Sequence, residues 1–482
     1  MEQNNSVAKG LAWKLMERFG VQGTQFVLQV VLARILSPEH YGVLSLMLIF
    51  TALANVFIQQ GFNTALIQNK DVTEEDYSSV LWISLSVAAL MYAILYVATP
   101  AIAAFYEIPE LINPFRVLCL MLFPGAVNSV QLARISRAMD FKKVFYSNLA
   151  GILISGIVGI VVALMGGGLW ALVVQTILNT VIACIVMLFS AKFRLYFRCD
   201  LKRIAVLFAF GGKLMLATLL DTLYQDIRSL VIGKKYNADT LGYHDRGKQF
   251  PQFLINCINS AVQSVLLPAM SAEQDDRKKV KALMRYSVML SSYIIFPMMA
   301  GLAGVAAPMI TLLLTEKWLP CVPYLQIYCF ILAFVPVHTS NLQAINAVGR
   351  SDIFLKLELI KKALGLSTLV FAVFCFDSPI AIVMTGAVTA LISCFINASP
   401  NKKLIDYSYF EQIKDILPAF LSSIAMFVVV SLVGRLALNT VVILILQVLT
   451  GIVMYVALSA IFRIEAFGIL LDMIKKMARK RT

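Results

Sequence analysis

The chain alternates long apolar runs with short polar breaks. Runs rich in Leu, Ile, Val, Phe and Ala cover about 11–35, 41–62, 79–104, 114–133, 148–165, 169–190 and 204–232, then 250–270, 287–313, 322–346, 355–376, 379–397, 416–437 and 440–462. A helix of about 20 apolar residues crosses the ~30 Å hydrocarbon layer of a bilayer. The pattern therefore predicts an all-α, polytopic membrane protein of about fourteen spans. The 250–270 run is the most polar. Its Gln252, Asn256, Asn259 and Gln263 recur every three or four residues, which puts them on one face and marks a cavity-lining helix.

One stretch departs furthest from an apolar span. Gly211 to Gly242 reads GGKLMLATLLDTLYQDIRSLVIGKKYNADTLG and carries Lys213, Asp221, Asp226 and Arg228 in its first half. Thr218, Asp221, Gln225 and Arg228 share a helix face, with Leu, Ile and Val around the rest. A charge at the bilayer centre costs about 2.5–3.5 kcal/mol even on the lenient insertion scale. Such a face is expected to look onto a cavity or another helix.

Composition agrees with a membrane protein. Of 482 residues 60% are hydrophobic and 14% charged, with a mean hydropathy of +0.81, far less charge than a soluble chain of this length exposes. The net charge of +14 does not point to nucleic acid, because the basic residues sit in short loops between apolar runs. With a cytoplasmic N-terminus, twenty-five Lys and Arg of the loops and tails fall inside and five outside. This is the asymmetry that orients membrane proteins, and it predicts that both termini are cytoplasmic. The polar opening MEQNNSVAKG predicts a retained first span rather than a cleaved signal.

Catalytic signatures are missing from the sequence. It has no Walker, GxSxG or HExxH motif, no CxxC pair and no His/Cys cluster. The eight cysteines lie in or near apolar runs and read as small packing residues. His40, His244 and His338 are far apart and read as interfacial or helix-packing residues. The outer loops are short turns, such as 37–40, 166–168 and 377–378, which leaves no room for an external catalytic domain. The chain is expected to be no enzyme, with no metal and no cofactor.

The polar stretch also belongs to an internal repeat. Trp13-Lys14-Leu15-Met16 answers to Gly212-Lys213-Leu214-Met215, Arg34 to Lys234, and Tyr41-Gly42 to Leu241-Gly242, at offsets of 199–200. Six spans separate the copies, so the halves are parallel, a transporter plan with substrate between them. The first helix carries its own polar face of Lys14, Arg18, Gln22, Gln25 and Gln29, with Glu17 beside it. Lys14, Arg18, Gln22, Gln25, Lys213, Gln225 and Arg228 are the candidate substrate-binding residues. Their basic balance suits an anion such as a diphosphate, since Arg holds phosphate oxygens bidentately. Glu17, Asp221 and Asp226 are candidates for coupling to a Na+ or H+ gradient, and Arg34 and Lys234 for an outer gate. The alternative is that Glu17–Lys14 and Asp221–Arg228 only neutralise one another as structural pairs.

Several segments together carry a family resemblance. VLARILSPEHYGVLSL (31–46), GFNTALIQNKDVTEEDYSSVLW (61–82), Gln225 with Ile232-Gly233, Leu241-Gly242-Tyr243, LLPAMSAEQDD (266–276) and EKW (316–318) resemble the polysaccharide exporters of the multidrug/oligosaccharidyl-lipid/polysaccharide flippase superfamily. The colanic-acid and teichuronic-acid exporter branch is the nearest. Met270 departs from that branch, which usually reads Pro-Ala-Phe-Ser there. The resemblance implies two six-helix lobes, taken here as 1–203 and 204–398, and an extra helical pair with a basic tail, 399–482. It implies a MATE-like flippase in the bacterial inner membrane. Its cargo would be an undecaprenyl-diphosphate-linked oligosaccharide for lipopolysaccharide, capsule or exopolysaccharide, moved to the outer leaflet by alternating access. Membrane lipids, a glycan polymerase and glycosyltransferases would be its partners, and nucleic acid would not. Pro251, Pro268, Pro297, Pro308 and Pro336 would let helices of the second half bend. A multidrug antiporter of the same fold is the alternative, though it would favour a net acidic cavity; a glycan polymerase or ligase is a third reading. In the tail, Phe467, Leu470, Leu471, Ile474 and Met477 predict an amphipathic surface helix.

The charge asymmetry has a direct check. Reporter fusions at Thr482 and in the 398–415 loop are expected to give cytoplasmic signals. A periplasmic signal at either would contradict the fourteen-span arrangement.

Overall fold

The computed structural model describes residues 20–68, 73–138, 140–191 and 201–479, and every regular element among them is a helix. The chain forms two compact units, Met1–Gly242 and Tyr243–Thr482. The first contains α1 (Gln22–Ile35), α2 (Pro38–Gln68), α3 (Glu74–Tyr106), α4 (Ile112–Leu118), α5 (Leu122–Arg137), α6 (Phe141–Leu164), α7 (Leu169–Ala191) and α8 (Leu201–Lys235). Next comes α9 (Ala238–Ala272), whose opening residues belong to the first unit. The second unit continues with α10 (Arg277–Gly304), α11 (Ala306–Leu314), α12 (Val322–Ala333), α13 (Val335–Ala347), α14 (Ser351–Cys375), α15 (Pro379–Ala398) and α16 (Asn401–Ile405). It ends with α17 (Tyr409–Val433), α18 (Thr440–Ile461) and α19 (Glu465–Arg479).

Among the described residues, ten segments are long and apolar enough to cross a membrane. The remaining four expected spans coincide with α1, with the charged α8 and α14, and with the amide-rich α9; residues 11–19 of the first run lie outside the described residues. What is described of each is helical despite its polarity. Sequence signals set the ends. Thr73 caps α3 through a reciprocal pair with Asp76, and Ser408 does the same for α17 with Glu411. Gly166 and Gly168 turn the chain between α6 and α7 at φ +83° and +52°, where a side chain would be strained. Pro251, Pro268 and Pro297 lie inside α9 and α10. Pro308 and Pro336 instead sit in the first turns of α11 and α13, where proline costs little. The 287–313 and 322–346 runs are thus each built from two helices. The tail forms α19, as its amphipathic spacing predicts.

Lipid offers helices no hydrophobic reason to associate, so close packing and hydrogen bonds must do it. In the first unit α6 and α7 pack through small residues. A Cβ on Gly151 would lie 2.8 Å from the Asn179 carbonyl oxygen, and one on Gly159 2.9 Å from the Gln175 Cβ. In the second unit, polar contacts join the C-terminal helices to α10. Arg285 donates through Nε to both Asp415 oxygens at 3.0–3.1 Å and through its terminal nitrogens to Glu465 at 2.7 and 3.1 Å. Lys281 pairs with Glu411 at 3.0 Å. Tyr455 donates to the Tyr293 carbonyl at 2.9 Å, and the Tyr293 hydroxyl to Ser459 at 2.8 Å. A buried amide cluster adds to this, with Asn341 donating to Gln412 and Asn401 to Asn341, at 2.8 and 2.7 Å.

The internal repeat returns as a contact inside the first unit. Gly42 lies near the start of α2 and Gly242 near the start of α9. A Cβ on Gly42 would fall 1.8 Å from the Ala238 carbonyl oxygen, and one on Gly242 2.1 Å from that of Pro38. Pro38 and Ala238 stand at the same 200-residue offset as the two glycines. The two helix starts therefore cross backbone to backbone in a reciprocal way that only glycine permits. Gly42→Ala or Gly242→Ala is expected to lower the melting temperature in detergent by the equivalent of about 1–3 kcal/mol, the usual cost of overpacking. Gly23→Ala, with nothing within 4 Å, should not. Because both glycines serve one crossing, the double variant should cost less than the sum.

Candidate functional site

On α8, two opposite sides are open. Leu216, Leu220 and Leu223 are 56%, 51% and 39% exposed on one side. Asp221 and Gln225 are exposed on the other, with Thr218 and Arg228 half-buried beside them, while Asp226 is half-buried at the flank, nearer the leucines. Leucines suit hydrocarbon and the charged side does not. Lys213 lies on the same helix. On α1, Gln25 is exposed with Gln22 and Gln29 half-buried next to it, while Val27 and Val31 lie across the helix at 60% and 36% exposure. Lys14, Glu17 and Arg18 lie outside the described residues. α1 packs on α6 and α8 on α2, so different neighbours hold the two polar faces.

At the end of α8, Lys234 forms an ion pair with Glu107 at 2.9 Å and stands 5.0 Å from the centre of the Phe105 ring. Glu107 caps α3 in the left-handed conformation, at φ 61°. The Lys234 hydrogen bond and charge hold its carboxyl below the usual carboxylate range. Both side chains are solvent-accessible, so the pair positions Lys234 more than it stabilises the fold. Arg34 is exposed at the end of α1. Sequence reasoning missed Glu107. Its signal is an acid directly after the apolar 79–104 run.

The second unit has its own polar side. On α9, Gln249, Asn256 and Gln263 are exposed, and Gln252 donates to Asn256 at 2.8 Å, which fits a helix lining a polar space. On α14, Lys361 pairs with Glu358 at 2.6 Å, with Lys356 and Lys362 on adjacent turns. These charges, too, were missed, inside a run apolar on average. His244 is fully buried between Asp245 at 2.7 Å and the Tyr328 hydroxyl at 2.8 Å. Beside it Arg246 lies 5.3 Å from the centre of the Trp318 ring. His40 meets Ser37 at 3.0 Å and His338 meets Asn397 at 3.2 Å, so the three histidines occupy separate packing environments. Among the described residues, no group of three or more His, Cys, Asp or Glu is placed to hold a metal.

Residues 31–323 match the family described as "Polysaccharide biosynthesis protein". The chain is 22% identical over 356 residues to the succinoglycan biosynthesis transport protein ExoT of Rhizobium meliloti, covering 74% of this chain and 72% of that protein. It is 23% identical over 349 residues to the teichuronic acid biosynthesis protein TuaB of Bacillus subtilis, covering 72% of each. Among solved structures, the lipid II flippase MurJ in an inward closed conformation superposes with a TM-score of 0.71 at 16% identity. That match covers 94% of this chain and 98% of MurJ.

Proposed function

Since this chain belongs to the polysaccharide biosynthesis protein family, we propose that it carries lipid-linked oligosaccharide from the cytoplasmic to the outer leaflet by alternating access. The observation that carries this reading is α8, with leucines open on one side and Asp221, Gln225 and Arg228 on the other. A glycolipid presents the same division. Its polyprenyl chain belongs in hydrocarbon, and its sugar and diphosphate need water, because each uncompensated hydroxyl costs several kcal/mol in an apolar medium. A helix with both kinds of face lets the head group cross while the tail stays in lipid.

In this reading Arg228 holds the diphosphate, with Lys213, Gln225 and the residues Lys14, Arg18, Gln22 and Gln25. Asp221, Asp226 and Glu17 couple transport to a Na+ or H+ gradient. Arg34 and Lys234, near the glycine crossing in sequence, form the outer gate. The cargo is undecaprenyl-diphosphate-linked oligosaccharide, made by glycosyltransferases and consumed by a polymerase. The protein works in the bacterial cytoplasmic membrane with both termini in the cytoplasm. Arg228→Ala is expected to lower surface polysaccharide by roughly 10- to 100-fold at unchanged membrane levels, the effect of losing a charge-assisted contact. Arg228→Lys should restore only part, because Lys lacks the bidentate fork. Full export by the Ala variant would remove Arg228 from the site.

A further inference from the structure

The first unit carries a half-open cavity that the polar helix faces do not account for. It has a volume of about 540 Å³ and lies among α2, α5, α6 and α7. Asn55, Gln59, Asn128, Asn148, Thr180 and Phe141 contribute its polar groups and one aromatic ring. None of the residues lining it carries a charge. In a chain of net charge +14 that neutrality is selective. The neighbouring cations are committed elsewhere: Arg134 pairs with Glu74 at 2.9 Å, and Arg137 donates to the Leu66 carbonyl at 2.8 Å.

The amides are only partly engaged. Gln59 donates to Asn55 at 3.2 Å, and Asn128 donates to the Thr180 carbonyl at 3.3 Å. Between Gly125 and Ser136, both lining residues, α5 rises about 16 Å. The cavity is thus elongated along α5 as well as neutral.

Its chemistry selects a ligand class. Among the described lining residues a phosphate or carboxylate would find no cation, and a metal ion or proton would find no carboxylate. A polyprenyl chain would strand the amides without partners. Amides offer donor and acceptor together, as adjacent sugar hydroxyls require, and the face of Phe141 suits the partly positive C–H side of a sugar ring. The volume falls within the usual range for small-molecule sites.

We propose that this cavity is a glycan subsite of the first unit, taking uncharged, hydroxyl- or acetamido-bearing sugar residues of the cargo, with the amide side chains of Asn55, Gln59 and Asn128 forming its polar wall. The proposal rests on the lipid-linked oligosaccharide reading. It divides recognition in two: cations take the diphosphate, and this neutral cavity takes the sugar.

The test measures binding of two probes to the purified full-length protein in nanodiscs: undecaprenyl diphosphate, and the same lipid carrying a neutral disaccharide. The wild type should bind the disaccharide probe more tightly, by roughly five- to tenfold for one or two amide hydrogen bonds. Asn128→Leu, close in shape to the native side chain, should erase that preference and leave undecaprenyl diphosphate binding unchanged. Gly125→Val should do the same by filling the cavity, since only Asn55 Oδ1 and Gln59 Nε2 lie within 4 Å of the added Cβ. Unchanged binding of the bare lipid shows that each variant is folded. If both variants keep the preference, or the wild type has none, the glycan subsite is wrong and the transport reading stands. If the wild type binds neither probe, the transport reading fails and the subsite with it.

Discussion

An ionised side chain at mid-membrane must be turned away from hydrocarbon or lose several kcal/mol. α8 meets that condition over the segment that holds Asp221 and Arg228. Its leucines are open on one side, and Asp221, Gln225 and Arg228 lie on the other. Much else follows from keeping such a helix in a bilayer. α1 repeats the arrangement with amides, and α2 packs against α8.

Helix placement was legible because hydrocarbon thickness fixes span length. Among the described residues, ten spans satisfy length and apolarity outright, and helices also stand where the four more polar runs predicted them, a pattern compatible with fourteen spans. Proline position was less legible. Pro308 and Pro336 start new helices instead of bending old ones, and residue type alone does not say whether a proline opens or interrupts a helix. The charges of α14 were hidden by averaging, since Lys356 to Lys362 are diluted by Leu and Ile on the same turns.

The site was legible only in part. A polar face on one helix has a period that sequence shows, so Gln225, Asp221 and Arg228 could be named. The Glu107 partner of Lys234 is distant in sequence, and no local spacing announces it. The uncharged cavity is harder still. Asn55, Asn128, Asn148 and Thr180 come from four helices, and each alone is an ordinary polar residue in an apolar run. The glycine crossing lies between these cases. The repeat pointed to Tyr41-Gly42 and Leu241-Gly242, but that the two glycines meet one another's helix starts is tertiary information.

The central claim is that one side of α8 faces water within the membrane while the other faces lipid. A single-cysteine scan in a background free of native cysteines tests it, because a thiol reacts with a membrane-impermeant maleimide only as the hydrated thiolate. Asp221→Cys and Gln225→Cys are expected to label in intact vesicles, and Leu216→Cys, Leu220→Cys and Leu223→Cys to stay protected. Equal labelling on both sides, or protection of Asp221→Cys and Gln225→Cys, would contradict the account.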